Sequence, residues 1–116
     1  MAADIVPQGN SIAVNGNYLG GLGLTGEQWV NETANRSVDV EYTNNEGKPI
    51  MVNIYVTAST SSTSHIKIDG EPTIYFSCTA SGGQDVSTPS FIVPDGSTYE
   101  IVGNTYFNVK EWVELK

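Results

Sequence analysis

The only histidine and the only cysteine of this chain, His65 and Cys78, are the first residues to weigh for chemistry. A zinc site draws three or four Cys, His or acidic ligands from local clusters, and one His and one Cys with twelve residues between them offer no such spacing. His65 follows a Ser/Thr run and opens an amphipathic segment, the setting of an exposed or edge imidazole. Cys78 shares its alternation with Ile74, Phe76 and Ala80 and reads as a small buried hydrophobe, with no base or positive group placed to make it a nucleophile. Asp39 and Glu41 lie on one polar strand face. A glycosidase needs two carboxylates roughly 5 to 9 Å apart, but acids on such a face are expected for solubility alone. No segment resembles a calcium-binding EF-hand loop. Gly20-Gly21-Leu22-Gly23 precedes no Lys-Ser/Thr and opens no helix, so phosphate-loop and dinucleotide fingerprints are absent. The sequons Asn31-Glu32-Thr33 and Asn35-Arg36-Ser37 are chance matches in a chain without a signal peptide. The expectation is a protein that is not an enzyme and holds no metal and no cofactor.

Composition narrows the partners. The 116 residues carry thirteen acids and five bases, a net charge of -8. The charge divides evenly between the halves, so there is no charged tail, and a surface of that sign repels nucleic acid. Charged residues reach 16%, against roughly 25% in ordinary soluble domains. Hydrophobic residues at 39%, with six Tyr, three Phe and two Trp, supply a packed interior. One cysteine excludes an internal disulfide framework and fits a reducing cytoplasm. No run approaches a membrane span, so no membrane insertion is expected.

The elements that must position any site are strands. Residues 1–26 hold six glycines and one charge, too much glycine for a stable helix. They read as an arm for attachment or inter-subunit contact, with a short strand at residues 11–14 and with Tyr18, Leu19, Leu22 and Leu24 packing on its own domain or a neighbour. From Trp29 the hydrophobic period becomes two. Residues 37–43 and 50–58 are expected to pair across the Asn44-Asn45-Glu46-Gly47 turn. Asp69-Gly70 joins residues 65–68 to 73–80, and Asp95-Gly96 joins 91–93 to 98–102, as two further hairpins. Residues 106–115 put Phe107, Val109, Val113 and Leu115 on one face and Trp112 on the other. The Ser/Thr-rich stretch 57–64 and the stretch 81–89 read as exposed loops or strand ends. Together these predict an all-β domain over residues 27–116, an antiparallel β-sandwich or jelly roll of about seven or eight strands. Met51, Tyr55, Tyr75 and Trp112 sit opposite the apolar faces, as expected where a second sheet or another subunit covers the outer side.

Trp29, Arg36, Tyr42-Thr43-Asn44, Gly47-Lys48-Pro49-Ile50 and Val52, followed by Ile68-Asp69-Gly70, then Phe91-Ile92-Val93-Pro94, Gly96, Tyr99 and Trp112-Val113-Glu114-Leu115, form a pattern over residues 27–115. It resembles small β-domains of tailed-bacteriophage and prophage virion proteins, notably those at the C-terminal ends of tail fibres. The resemblance implies a non-enzymatic, homotrimeric virion module for host attachment, made in the bacterial cytoplasm. Its partners would be further copies of itself, another virion protein through the arm, and a host-surface glycan or protein. A head decoration protein or head fibre bound to the capsid is the alternative. Tyr and Trp suit stacking on sugars and anchoring in protein pockets, which makes Tyr18, Trp29, Tyr55, His65, Tyr75 and Trp112 the candidate binding residues. Trp29 and Arg36 also admit a structural role, the guanidinium stacked on the indole or paired with a backbone carbonyl.

Overall fold

The computed structural model describes residues 26–79 and 85–116, together with the backbone of three short strands nearer the N-terminus. Those strands, β1 (Ile5–Gln8), β2 (Ser11–Val14) and β3 (Asn17–Tyr18), form an antiparallel sheet in the order β1-β2-β3. The expected packing of Tyr18, Leu19, Leu22 and Leu24 lies outside the described residues.

Alternation builds the rest. In β6 (Ile50–Ala58), Ile50, Val52, Ile54, Val56 and Ala58 are all at most 2% exposed, so the period-two pattern translates directly into one buried face. Each buried Val or Ile there contributes roughly 1.5–3 kcal/mol. β6 lies between β10 (Ser90–Val93) and β12 (Phe107–Leu115), and β12 pairs in turn with β4 (Trp29–Asn31). The far end of β6 also pairs with β9 (Asp85–Ser87). The second sheet runs β5 (Tyr42–Thr43), β11 (Thr98–Ile101), β7 (Ser62–Ile68), β8 (Glu71–Cys78). All the pairs are antiparallel, and the sheets close face to face over Phe76, Phe91, Tyr99, Ile101, Phe107 and Trp112 as well as the β6 row. The protein is a β-sandwich of nine described strands. Sequence reading falls short of that number because β4 and β9 are three residues long, too short to show alternation.

Of the three expected hairpins, one forms as read. Asp69 (φ 53°) and Gly70 (φ 82°) both take the left-handed conformation of a two-residue turn, and Ile68 pairs with Glu71 across it. The other two connections are corners between sheets. β5 pairs with β11 and not with β6, while β10 pairs with β6 and β11 with β5 and β7. Pro49 and Pro94 explain the difference: each sits at a strand boundary and lacks the N–H that would extend the ladder. The corners meet at Asn44, which is 2% exposed. Its Nδ2 donates to the carbonyls of Lys48 (2.8 Å), Val93 (3.1 Å) and Pro94 (3.1 Å), its Oδ1 accepts from Glu46 N, and its carbonyl accepts from Gly96 N.

Residues 37–43 are not one strand. Asp39 turns the chain at φ 62° and its carboxylate accepts from Gly103 N at 2.9 Å, so Asp39 and Glu41 do not share a strand face. A Cβ at Gly103 would lie 2.6 Å from Asp39 Oδ2 and 3.0 Å from Val38 Cγ2. Gly103→Ala therefore displaces this cap, with an expected loss of about 1–2 kcal/mol and a melting temperature lower by about 5–10 °C in a thermal scan. The Ser/Thr stretch is mostly strand: β6 runs to Ala58, β7 starts at Ser62, and three residues link them. Within the stretch 81–89, residues 85–87 form β9 against β6, while residues 81–84 lie outside the described residues.

Candidate functional site

The last strand contains the largest departure from the expected pattern. Phe107 pairs with Ala58 and Val109 with Val56, but Glu111 pairs with Tyr55, so Lys110 is an extra residue that breaks the alternation. A one-residue bulge exchanges the two faces of everything after it. Trp112 and Glu114 thus point into the sandwich, and Val113 and Leu115 point out, the reverse of the alternation expected for them. Trp112, read as a binding residue, is 2% exposed and is a core residue.

The bulge also delivers the carboxylate of Glu114, 1% exposed, into the interior. Arg36 grips it with two hydrogen bonds, Nε to Oε2 at 3.0 Å and Nη2 to Oε1 at 3.2 Å. Lys116 Nζ donates to Oε1 at 2.9 Å, and the Tyr99 hydroxyl donates to Oε2. Trp112 Nε1 donates to that same hydroxyl at 3.3 Å. On the outer side Glu32 receives Arg36 Nη2 and Lys116 Nζ, each at 2.9 Å. The two carboxylates and two cations balance. Arg36 also lies over the ring of Tyr42, 4.7 Å from its centroid, and donates to the Asn35 carbonyl. The structural role read for Arg36 is thus present, with Tyr42 in place of Trp29 as the stacking ring.

This environment fixes the charges. Burial opposes ionisation of Glu114, but hydrogen bonds from Arg36, Tyr99 and Lys116 outweigh it and hold the carboxyl below its ordinary value of 4.5. Glu32 is lowered by hydrogen bonds from Lys116 and Asn35. Burial disfavours the Lys116 ammonium, yet Glu114 and Glu32 keep it raised, and burial together with Glu114 pushes the Tyr99 phenol up. Neither carboxyl of this cluster is poised to give up a proton near neutrality, and each cation already has its partners. Two cavities flank Arg36. One of about 280 Å³ is lined by Thr33, Arg36, Val38, Asn104, Phe107 and Trp112, among others, and one of about 220 Å³ is lined by Arg36, Tyr42, Asn44, Tyr99, Glu114 and Lys116, among others. The cluster is chemically a closed clamp between β12, β11 and the segment around Arg36.

The remaining candidates lie outside the clamp. His65 is half-buried in β7, an interior strand of its sheet, and not at an edge. It pairs with Tyr75 on β8, and their rings stand 5.7 Å apart on the outer face. Tyr75 is 67% exposed, Thr63 and Ser77 pair beside it, and Lys67 pairs with Glu100 on β11. Tyr55 and Trp29 are exposed on the opposite sheet, on β6 and the edge strand β4. The side chain of Tyr18 lies outside the described residues. Cys78 is 3% exposed among Ile74 and Phe76, and burial pushes its thiol pKa up, as befits a core cysteine. The structure therefore brings two of the six candidates together, His65 and Tyr75, and moves one, Trp112, into the core. Sequence reading missed Glu114 as the centre of a buried network, because Arg36 lies 78 residues away and no local spacing links them. Among the described residues no group of three His, Cys, Asp or Glu side chains could hold a metal ion. Scans against protein-family models, curated proteins and solved structures found no match to this chain.

Proposed function

We propose that this chain is a non-enzymatic attachment module of a bacteriophage virion, of tail-fibre-tip type, which assembles as a homotrimer and binds a host-surface glycan. The observation that carries the reading is the exposed Tyr75 with His65 beside it on the outer face of the β5-β11-β7-β8 sheet. An exposed ring on a rigid strand offers a stacking platform, and the hydroxyls of Thr63 and Ser77 next to it can exchange hydrogen bonds with a sugar. The clamp supports the same reading from the other side, since its ionisable groups are engaged with one another. A chain of net charge -8 disfavours acidic polysaccharides, so the saccharide it suits is neutral.

Binding of the purified protein to host cells and to an array of neutral glycans tests this. Tyr75→Ser is expected to weaken binding at least about 10-fold with an unchanged melting temperature, because the ring makes few contacts inside the domain. Equal binding by Tyr75→Ser and the parent would remove this face from the account. Binding that survives enzymatic stripping of glycans would point to a protein receptor. Immunogold labelling of the capsid in place of the tail tip would replace the fibre reading with head decoration.

A further inference from the structure

We infer that the first half of β12 takes up an extended, uncharged peptide as an added strand, with an apolar side chain of that peptide seated in the cavity of about 280 Å³ beside Arg36. The site lies on the sheet opposite Tyr75 and stands apart from host-surface binding. β4 covers only the last part of β12, from Val113 to Leu115. Thr33 Oγ1 then accepts from Trp112 N at 3.0 Å, and Glu32 N donates to the Trp112 carbonyl at 2.8 Å. There the chain leaves the edge of β12 through the short 3-10 turn Thr33–Asn35. Residues 36–38 line the cavity together with Phe107, Asn108, Val109 and Trp112.

The ladder fixes which way the backbone groups of this stretch point. In an antiparallel pair, alternate residues turn their N–H and C=O to opposite edges of the strand. Ile54 N donates to the Pro89 carbonyl, on the β10 side, so Ile54 and Val56 face away from β12 while Tyr55 and Thr57 face it. Thr57 pairs with Asn108, so the backbone of Asn108 is spent on β6, and that of Phe107 and Val109 turns to the open edge. Phe107 N agrees with this direction, since it donates to the Asn104 carbonyl at 3.3 Å. Among the described residues nothing takes up the Phe107 carbonyl or the N–H and C=O of Val109.

An open edge alone is common, but three free backbone groups beside a cavity select the ligand. Extended backbone is the chemistry that matches them. A peptide running antiparallel to β12 pairs one residue with both groups of Val109 and sends the N–H two residues further on to the Phe107 carbonyl. Paired residues share a face, and Val109 packs against the core, so both of those peptide residues turn their side chains inward toward Val38, Phe107 and Trp112. The residue between them stands beside Asn108 on the outer face. Apolar side chains suit the inward positions. A charge there would go unpaired, because Arg36, the one ionisable residue among the described residues lining the cavity, is already held by Glu32 and Glu114.

Amide hydrogen exchange and NMR titration of the full chain test the inference, with acetyl-Thr-Val-Thr-Val-Thr-amide as the probe. Without peptide, the Val109 N–H is expected to exchange at least about 10-fold faster than the Asn108 N–H. The peptide should slow it and shift the signals of Val38, Asn104 and Phe107. Methylating the amide nitrogens of both Val residues of the probe removes its ladder donors and keeps its side chains, and is expected to weaken binding at least about 10-fold. Methylating the central Thr nitrogen, which faces away from β12, should leave the affinity within about 2-fold. Tyr75→Ser should bind the probe like the parent, so that a failure here and a failure of host-surface binding are read apart. No binding of the probe at millimolar concentration overturns the inference, as does equal binding of the probe methylated at both Val residues. N-acetylglucosamine shifting these signals where the peptide does not would overturn it in favour of a saccharide.

Discussion

Asn44→Asp is expected to destabilise the sandwich by about 4 kcal/mol or more, enough to lower the melting temperature by about 15 °C or more. The wild-type amide donates to three backbone carbonyls that belong to two different chain corners. A carboxylate in its place, 2% exposed, would turn a negative charge toward three carbonyl oxygens and remove the amide donor they share. The penalty carries a pH signature. The introduced carboxyl is more easily protonated when folded than when unfolded, so its pKa is raised by folding and the variant loses stability relative to the parent as pH rises above about 4. Asn44→Ala, which removes the donor without adding charge, is expected to cost about 2–3 kcal/mol with no such pH dependence. Chemical denaturation of both variants at acidic and neutral pH checks the pair.

Arg36→Met is expected to cost about 3–5 kcal/mol, because it leaves Glu114 charged and buried with only Lys116 and Tyr99 to hold it. Adding Glu114→Leu should restore much of the loss, since the desolvation penalty disappears with the charge. The parent's pH profile follows from the same groups. Glu114 and Glu32 have folded pKa values below 4.5, so their contribution is complete above that pH and drains away as pH falls through the folded values. Tyr99 and Lys116 are raised above 10.0 and 10.5, so their contribution is complete below those values and is lost as pH rises past them. Stability should hold a plateau between these limits and fall on both sides. Glu114→Gln should flatten the acid side.

The two dipeptides Asp69-Gly70 and Asp95-Gly96 show how far local sequence reaches. Both signal turns and both make them, but the first closes a hairpin and the second carries the chain from one sheet to the other. Pro94, immediately before the second, was the available signal, because a residue without an N–H cannot continue the ladder. The alternation of β6 was fully legible, since each of its residues keeps one face along the whole strand. That of β12 was not: one extra residue at Lys110 reverses all that follows, and pattern alone does not locate a bulge inside an amphipathic run. Asn44 and Glu114 were opaque for another reason. A buried polar residue looks like a surface one until its partners, drawn from distant segments, are in place. The two blocks on which sequence reading bases its expected likeness to phage virion domains, residues 42–52 and 91–99, meet at the Asn44 corner. They specify how the sheets join, whereas Tyr55, His65 and Tyr75 lie outside them.

The clamp around Glu114 holds the fold, and the outer face around Tyr75 is the proposed binding surface. A single paired measurement tests that division most directly: melting temperature and host-surface binding for Tyr75→Ser beside Glu114→Gln. Tyr75→Ser should lose binding and keep its melting temperature, while Glu114→Gln should melt several degrees lower and bind normally per folded molecule. The opposite pattern, with folded Glu114→Gln failing to bind and Tyr75→Ser binding like the parent, would contradict it.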